Sequence, residues 1–410
     1  MTSTTGSSGP AWLKSFWARP KSATTTAPAA GPAPAAPLVA PLALLAAALR
    51  APHGASPEEL AAAIADNKAR PDLDPELVDD DGFPVMSARC DEAADEALQE
   101  DVTQWLVMNG MAELQLGEAQ WRALTLGTAV VRDLAGEGFM QLMPAEGPPP
   151  QLHLLPILPA SWTVEQRHAG GLWFKHTVAQ FGWAVEQLTR IDVPRDATPA
   201  AILAQCATHG QVSNKPVATM LVACDSHIDQ DTVDAWAASG VLATPARAGG
   251  RIPGEGAAGL LLTSVESAHR GNDTVFAQLY PLLETRREVS IDSARRPEAK
   301  RIGDLAERAV QAAGLQLADV AAIAADTDHR NGRNLELMGM ASASLPQLDA
   351  TLDVMRTGVA TGSCGVVPFL CALALARHAC LAGNTPALFL SNDDPLTCCM
   401  ALVGPPPAAA

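Results

Sequence analysis

Short apolar segments suited to buried strands alternate with helix-forming segments from residue 38 onward, and this alternation restricts the fold more than any other feature of the sequence. Residues typical of helix ends occur within this pattern. Ser56 and Pro57 suit a helix start, and Gly314 suits the end of a helix whose residues form one apolar face. Such alternation predicts an α/β architecture with buried sheets between helical layers. The predicted strands cover 42–49, 152–158, 217–223, 257–262, 320–325, 387–390 and 400–403, and the predicted helices include 198–208, 302–313 and 366–382.

Acidic side chains outnumber basic ones, with 45 Asp and Glu against 28 Lys and Arg, so the formal net charge is −17. Because an acidic chain repels phosphate groups, the charge argues against nucleic-acid binding and against attachment to anionic membranes. Apolar residues make up 48% of the chain, which is enough for a large core. The longest apolar run, 38–49, is too short to span a bilayer, so we expect no transmembrane segment.

The N-terminus and the cysteines predict a cytoplasmic protein. No uninterrupted apolar segment follows a basic start, so we expect no signal peptide. The eight cysteines include no C-x-x-C pair, and a core of this size does not need disulfides. We therefore expect reduced, buried thiols.

Residues 1–37 are rich in Ser, Thr, Ala and Pro and lack periodicity, which predicts a disordered leader. Within the leader, Trp12, Phe16 and Trp17 are interleaved with basic residues such as Lys14. This pattern is typical of a short docking motif or a weak membrane contact, or of incidental aromatics in a disordered segment.

A glycine-rich turn ahead of a small-residue strand carries the most specific signal. It consists of Pro253, Gly254, Glu255 and Gly256, and residues 216–264 around it resemble the β-ketoacyl synthases of the thiolase superfamily. Residues 312–336 and 358–375 are similar to the segments that carry the two catalytic histidines of those enzymes, so the resemblance covers about 38–404. It implies a thiolase-like five-layered αβαβα fold of two similar halves, 38–265 and 266–410.

The resemblance also implies that the catalytic groups of the family are missing. The nucleophilic cysteine should begin the helix at 198–208, which starts instead with Thr198 and Pro199. The first histidine position falls on Ala325 or Asp326 and the second on Val359, and Ser391–Pro395 replaces a glycine-phenylalanine-glycine turn. The vestigial pocket is predicted to contain Thr198, Pro199, Asp326, Val359 and Cys364.

One rearranged catalytic site stays open as an alternative. Cys364 begins a predicted helix at the pseudo-symmetric counterpart of the missing nucleophile, where a helix N-terminus lowers a thiol pKa, and His329 or His227 would act as its base. The other interpretation makes Cys364 a small core residue. Asp326, Asp328 and His329 would form a metal site only if clustered, and we expect no metal and no cofactor.

Three functions follow from the resemblance. The chain is similar to thiolase-like proteins encoded beside type VI secretion lipase effectors, which implies a catalytically inactive adaptor that binds a secreted effector. The alternatives are an inactive subunit of a ketosynthase heterodimer, as chain-length factors are, and a 3-oxoacyl synthase-like acyltransferase that uses Cys364. A homodimer is also possible, since the family usually associates through a strand of the nucleophile half, predicted here at 217–223.

Overall fold

An eleven-stranded mixed sheet runs through the structure, a computed structural model. It describes residues 40–143, 150–194, 196–212, 217–269, 275–293 and 299–406, so the predicted disordered leader lies outside the described residues. The strands are Leu42–Arg50 (β1), Asp72–Val78 (β2), Pro84–Ser87 (β3), Gln151–Ile157 (β4), Leu188–Arg190 (β5), Val217–Ser226 (β6), Glu255–Ser264 (β7), Ala277–Leu279 (β8), Leu283–Arg286 (β9), Ala322–Ala325 (β10), Val354–Arg356 (β11), Ala387–Ser391 (β12) and Thr397–Gly404 (β13). β2 and β3 form a separate hairpin.

The large sheet repeats one strand order twice. The first set runs β5-β4-β6-β7-β1 and the second runs β11-β10-β12-β13, ending on β8, with β9 also paired to β13. In both sets the first three strands are parallel and the later pairings are antiparallel. β1 pairs with β8 and so joins the two sets. Two similar halves are therefore visible in the topology, and the boundary predicted at residue 265 stays a prediction.

Helices fill the layers on both sides of these strands. They are Pro57–Ala65 (α1), Glu96–Met108 (α2), Glu118–Leu142 (α3), Val164–Ala179 (α4), Pro199–Val212 (α5), Gln230–Ser239 (α6), Val265–His269 (α7), Ala299–Ala312 (α8), Asn331–Ser344 (α9), Thr357–Thr361 (α10) and Val367–Gly383 (α11). Among the described residues, no helix combines the length and the apolar character that crossing a bilayer requires.

Three large hydrophobic clusters define five layers. The middle cluster contains α5, α11 and the sheet faces that meet them, and α11 is apolar almost all round because sheet surrounds it. α3 and α4 cover the outer face of the first half, and α8 and α9 cover the outer face of the second. This arrangement confirms the predicted five-layered αβαβα fold.

Most predicted strands and helices are confirmed within a few residues. β1, β7, β12 and α11 match their predicted segments closely, and Ser56 caps α1 by accepting a hydrogen bond from the Glu59 amide. The sequence pattern missed α3, the longest helix. Its buried face includes Arg122, Thr125 and Thr128, and these polar residues interrupt the apolar periodicity.

The predicted association strand is wrong. β6 contains residues 217–223, and it lies inside the sheet with β4 on one side and β7 on the other. Both of its hydrogen-bonding edges are therefore occupied. Among the described strands of the first half, the outermost is β5, which pairs with β4 alone.

The glycine-rich turn brings the two halves together. A side chain on Gly254 would overlap the carbonyl oxygen of Thr361, so only glycine allows this approach. Backbone pairing follows from the contact: the Ser363 amide donates to the Ile252 carbonyl over 2.9 Å, and the Ala88 amide donates to the Pro253 carbonyl over 2.9 Å. The turn therefore joins the second half directly to the first.

Glu255, in the same turn, is fully buried and fully hydrogen-bonded. Arg122 donates to both of its carboxylate oxygens, over 2.8 Å from Nε and 2.5 Å from Nη2. The Cys90 amide and the Ser226 hydroxyl donate to the same carboxylate, over 2.7 Å and 2.9 Å. A buried carboxylate with this many donors is stabilised, whereas removing its charge leaves the guanidinium without a counterion.

We predict that Glu255→Gln lowers the free energy of unfolding by about 3 kcal/mol, because it leaves the buried Arg122 unpaired. Urea unfolding followed by circular dichroism measures the change. The control is Glu92→Gln, which removes an exposed partner of Arg50 and should cost less than about 1 kcal/mol. Equal losses in the two variants would contradict the role given to Glu255.

Candidate functional site

A cavity of about 670 Å³ opens where the carboxyl ends of β4, β6, β10 and β12 meet. Ligand sites of α/β sheets commonly lie at such strand ends. One side is apolar, with Pro156, Ile157 and Pro194, and the opposite side is polar. The polar side includes Asp225, His227, Arg251, Asp326, Asp328, Arg330, Cys364 and Asp393.

The cavity unites only some of the predicted site residues. Asp326, His227 and Cys364 belong to its wall, whereas Thr198, Pro199, Val359 and His329 are not among the described residues that line it. The signature turn borders it through Gly254, whose carbonyl accepts from the His227 amide over 2.9 Å.

The predicted nucleophile position is a helix cap. Thr198 is exposed, and its hydroxyl oxygen accepts a hydrogen bond from the Ala201 amide over 3.2 Å at the start of α5. Pro199 is the first residue of that helix and is half-buried. Val359, at the second histidine position, is a half-buried residue of α10. Pro199 and Val359 carry no reactive group, and the Thr198 hydroxyl, which would need a base to attack a carbonyl carbon, serves as the cap of α5.

Cys364 lies in the connection between α10 and α11 and is 1% exposed. Its thiol donates a weak hydrogen bond to the Thr361 carbonyl over 3.5 Å. Burial, with smaller contributions from Asp225 and Cys371, raises the pKa of the Cys364 thiol well above its ordinary value. A thiol in these surroundings stays protonated at neutral pH, which is the opposite of an activated nucleophile.

The two candidate bases, His227 and His329, lie in different surroundings. His227 Nδ1 lies 2.6 Å from the Ser363 carbonyl oxygen, which fixes the ring and makes Nδ1 the protonated nitrogen. The ring also packs on Trp236, with 4.9 Å between centroids. His329 Nε2 is buried and has no hydrogen-bond partner among the described residues. Neither imidazole makes a described hydrogen bond to Cys364.

Asp326 follows β10 directly and is 4% exposed. Its carboxylate accepts from the Asn392 amide over 2.8 Å, from the Asp393 amide over 3.3 Å and from the Ser391 hydroxyl. Burial, together with the Asp393 charge, raises the pKa of Asp326 to about 7. This carboxyl group is therefore half protonated near neutral pH.

Sequence reasoning missed the arginines that hold the segment after β12. Arg333, 1% exposed, donates to the Asp393 carbonyl over 2.9 Å from Nε and 2.7 Å from Nη2. Arg287 donates to both oxygens of the buried Glu336, over 3.0 Å and 2.6 Å. Arg330 pairs with both Asp328 and Asp393. The signal in the sequence was the run of polar residues at 391–394, whose partners lie far away in the chain.

The structure gives no support to a metal site at Asp326, Asp328 and His329. In the described parts of the chain, no group of three or more His, Cys, Asp or Glu residues is arranged to hold a metal ion. Asp328 is paired with Arg330, and Asp326 with the segment after β12. Cys398 and Cys399 are adjacent on β13, where neighbouring side chains point to opposite faces, and all eight cysteines are free and buried.

No protein-family model and no curated protein sequence matches this chain.

Solved structures do share its fold. The ishigamide ketosynthase/chain length factor matches with a TM-score of 0.56 and 14% identity, over 89% of this chain and 99% of that one. The ketosynthase from module 1 of the bacillaene synthase of Bacillus amyloliquefaciens FZB42 matches with a TM-score of 0.59 and 12% identity, over 90% and 74%. The PfaC ketosynthase-chain length factor matches with a TM-score of 0.54 and 12% identity, over 90% and 43%. The fold is thus the thiolase-like fold of ketosynthases.

We predict that Asp326→Asn flattens the pH dependence of stability. The free Asp carboxyl loses its proton near pH 3.8 and the folded one near 7, so the folded state loses stability as pH rises through this window. The asparagine keeps an oxygen that accepts from the two amides, and it never ionises. The free energy of unfolding of the variant, relative to that of the native chain, should therefore rise by on the order of 4 kcal/mol from pH 4 to 8. Urea unfolding at several pH values measures it.

The control for this experiment is Asp304→Asn, which changes an exposed carboxylate paired with Lys300. It should leave the stability difference from the native chain constant over the same pH range. An Asp326→Asn profile parallel to that of the native chain would contradict the raised pKa.

Proposed function

We propose that this chain is a catalytically inactive relative of the ketosynthases that acts by binding another protein. The observation that supports the proposal is that the three positions assigned to reactive groups by the sequence resemblance hold other residues. Thr198 caps α5, Asp326 follows β10, and Val359 lies in α10. Without a thiolate and two imidazoles at these positions, the acyl transfer and decarboxylation of the family lack their nucleophile and their imidazole donors.

The surroundings of Cys364 argue against a rearranged nucleophile. Its thiol is buried, its pKa is raised, and its hydrogen bond goes to a backbone carbonyl. His227 is held by Ser363, so a proton transfer from the thiol to this ring lacks the required hydrogen bond. The interpretation of Cys364 as a core residue therefore has the better support.

We predict that the native chain stays unmodified at Cys364 when it is treated with iodoacetamide or a thiol-reactive acyl-chain mimic at pH 7.5. Intact-mass spectrometry followed by peptide mapping measures the modification. Cys364→Ala should form the same number of adducts as the native chain. One rapid adduct, confined to Cys364 and absent from the variant, would overturn the proposal in favour of an acyltransferase.

A ketosynthase is the partner with the most specific support. Two structural neighbours carry names that combine a ketosynthase with a chain length factor. The outer strand β5 offers a place for strand addition, by a ketosynthase or by a second copy of this chain. Because the Ile191 amide donates inward to Leu154, the Arg190 amide points away from β4 in the alternating pattern of a strand.

We predict that Arg190→Pro abolishes association through β5 while the sheet stays intact, because proline removes only the outward donor. Arg190→Ala is the matched control, since it also loses the side-chain bond to the His168 carbonyl. Mass photometry of the chain alone measures self-association, and mass photometry with any ketosynthase found in its gene neighbourhood measures association with that partner. Equal complex formation by the two variants would contradict the use of β5.

The adaptor for a type VI secretion effector is the other partner hypothesis, and it rests on the sequence resemblance. The acidic body, with a net charge of −17, is compatible with a basic partner surface. The genes beside this one separate the two hypotheses directly. Secretion-spike and lipase genes favour the effector, whereas fatty-acid or polyketide genes favour the ketosynthase.

A further inference from the structure

A groove with one polar end and one apolar end lies between α2 and the start of α3, away from the cavity. Two adjoining depressions, of about 660 and 290 Å³, share Thr103 and Trp121 as common wall. Leu106, Met111 and Leu114 form the apolar end. Val107 beside them is 56% exposed, and Met108, next along α2, is 70% exposed. These exposed side chains leave an apolar surface without a described partner.

The chain segment that forms this groove carries one sign of charge. Residues 91–121 contain eight acidic residues and not one Lys or Arg. Glu96 and Glu100 line the end opposite to Leu106. The site therefore suits a segment with apolar side chains at one end and cationic ones at the other.

The N-terminal segment of the same chain supplies both kinds of side chain, with Lys14 among its aromatic residues and Arg19 and Lys21 after them. We propose that residues 10–21 bind in the groove between α2 and α3 of their own molecule. Trp12 and Phe16 are four residues apart, as are Leu13 and Trp17, which is the spacing of neighbours on a helix surface and of helical segments that bind apolar grooves. Residues 1–39 contain three basic residues and no acidic one, which complements the acidic rim.

The connecting chain is long enough. α3 places Arg122 next to Glu255 and Gly138 next to Leu261, so the groove lies at the end of β1 away from Leu42. The helix rise and strand rise together give a separation of about 35 Å. The 25 residues from Trp17 to Leu42 span about 28 Å as a flexible coil and about 78 Å as extended polyproline, so they reach the groove.

Hydrogen–deuterium exchange of the full chain tests the proposal. Replacing Trp12, Phe16 and Trp17 together by Ala should speed amide exchange in Val107–Trp121 by about tenfold, the ratio of a millimolar effective concentration to a Kd near 0.1 mM. Val107→Glu should have the same effect, because it places a charge in the apolar end. Val289→Glu is the matched control, since Val289 is 58% exposed in the other half, and it should leave the groove protected.

Reversing the charges on the segment and then on the groove distinguishes a loss of docking from damage to the fold. Lys14→Glu with Lys21→Glu should release the segment, and adding Glu96→Lys with Glu100→Lys should restore protection. Protection that is unchanged by the alanine replacements overturns the proposal. Protection that appears only at high protein concentration also overturns it, because a second copy would then be the occupant.

Discussion

Backbone from the two halves meets at Gly254 with no side chain between the segments, and the shape of the cavity depends on this contact. Any side chain there would press on the Thr361 carbonyl and separate the halves. The hydrogen bonds from the Ser363 amide to the Ile252 carbonyl and from the His227 amide to the Gly254 carbonyl then fix the position of one cavity wall relative to the other. The glycine is required by close packing, since its backbone is not in the left-handed region.

Two buried ion pairs hold the loops on either side of that contact. Glu255 is bonded to Arg122 in the first half, and Glu336 is bonded to Arg287 in the second, each through both carboxylate oxygens. Burying such charges is costly, so each pair is stable only because further donors satisfy it, such as Asn392 at Glu336. Both pairs favour one loop arrangement over all others, so the cavity walls are pre-formed.

Sequence reasoning succeeded where burial is uniform and failed where it depends on distant partners. α11 and β7 each contain a long uninterrupted run of buried small and apolar residues, and so their segments were evident. α3 was missed because Thr128 on its buried face finds its partner in Trp173, 45 residues away. Asp326 and Cys364 were placed through the family resemblance, whereas the environments that set their pKa values come from loops with no local pattern. Arg287 could not be assigned for the same reason.

Because all eight cysteines are buried, the oxidation of their thiols depends on whether the chain is folded. While the chain is folded, oxidants meet no accessible thiolate, because burial also raises thiol pKa values such as those of Cys206 and Cys371 to about 12. Once unfolded, the same chain exposes eight thiols, which have 105 possible complete pairings. Oxidation of the thiols is therefore governed by the rate of unfolding. Because the folded chain has no disulfide, every disulfide formed by an unfolded chain in an oxidising compartment would have to be reduced before the native structure could form.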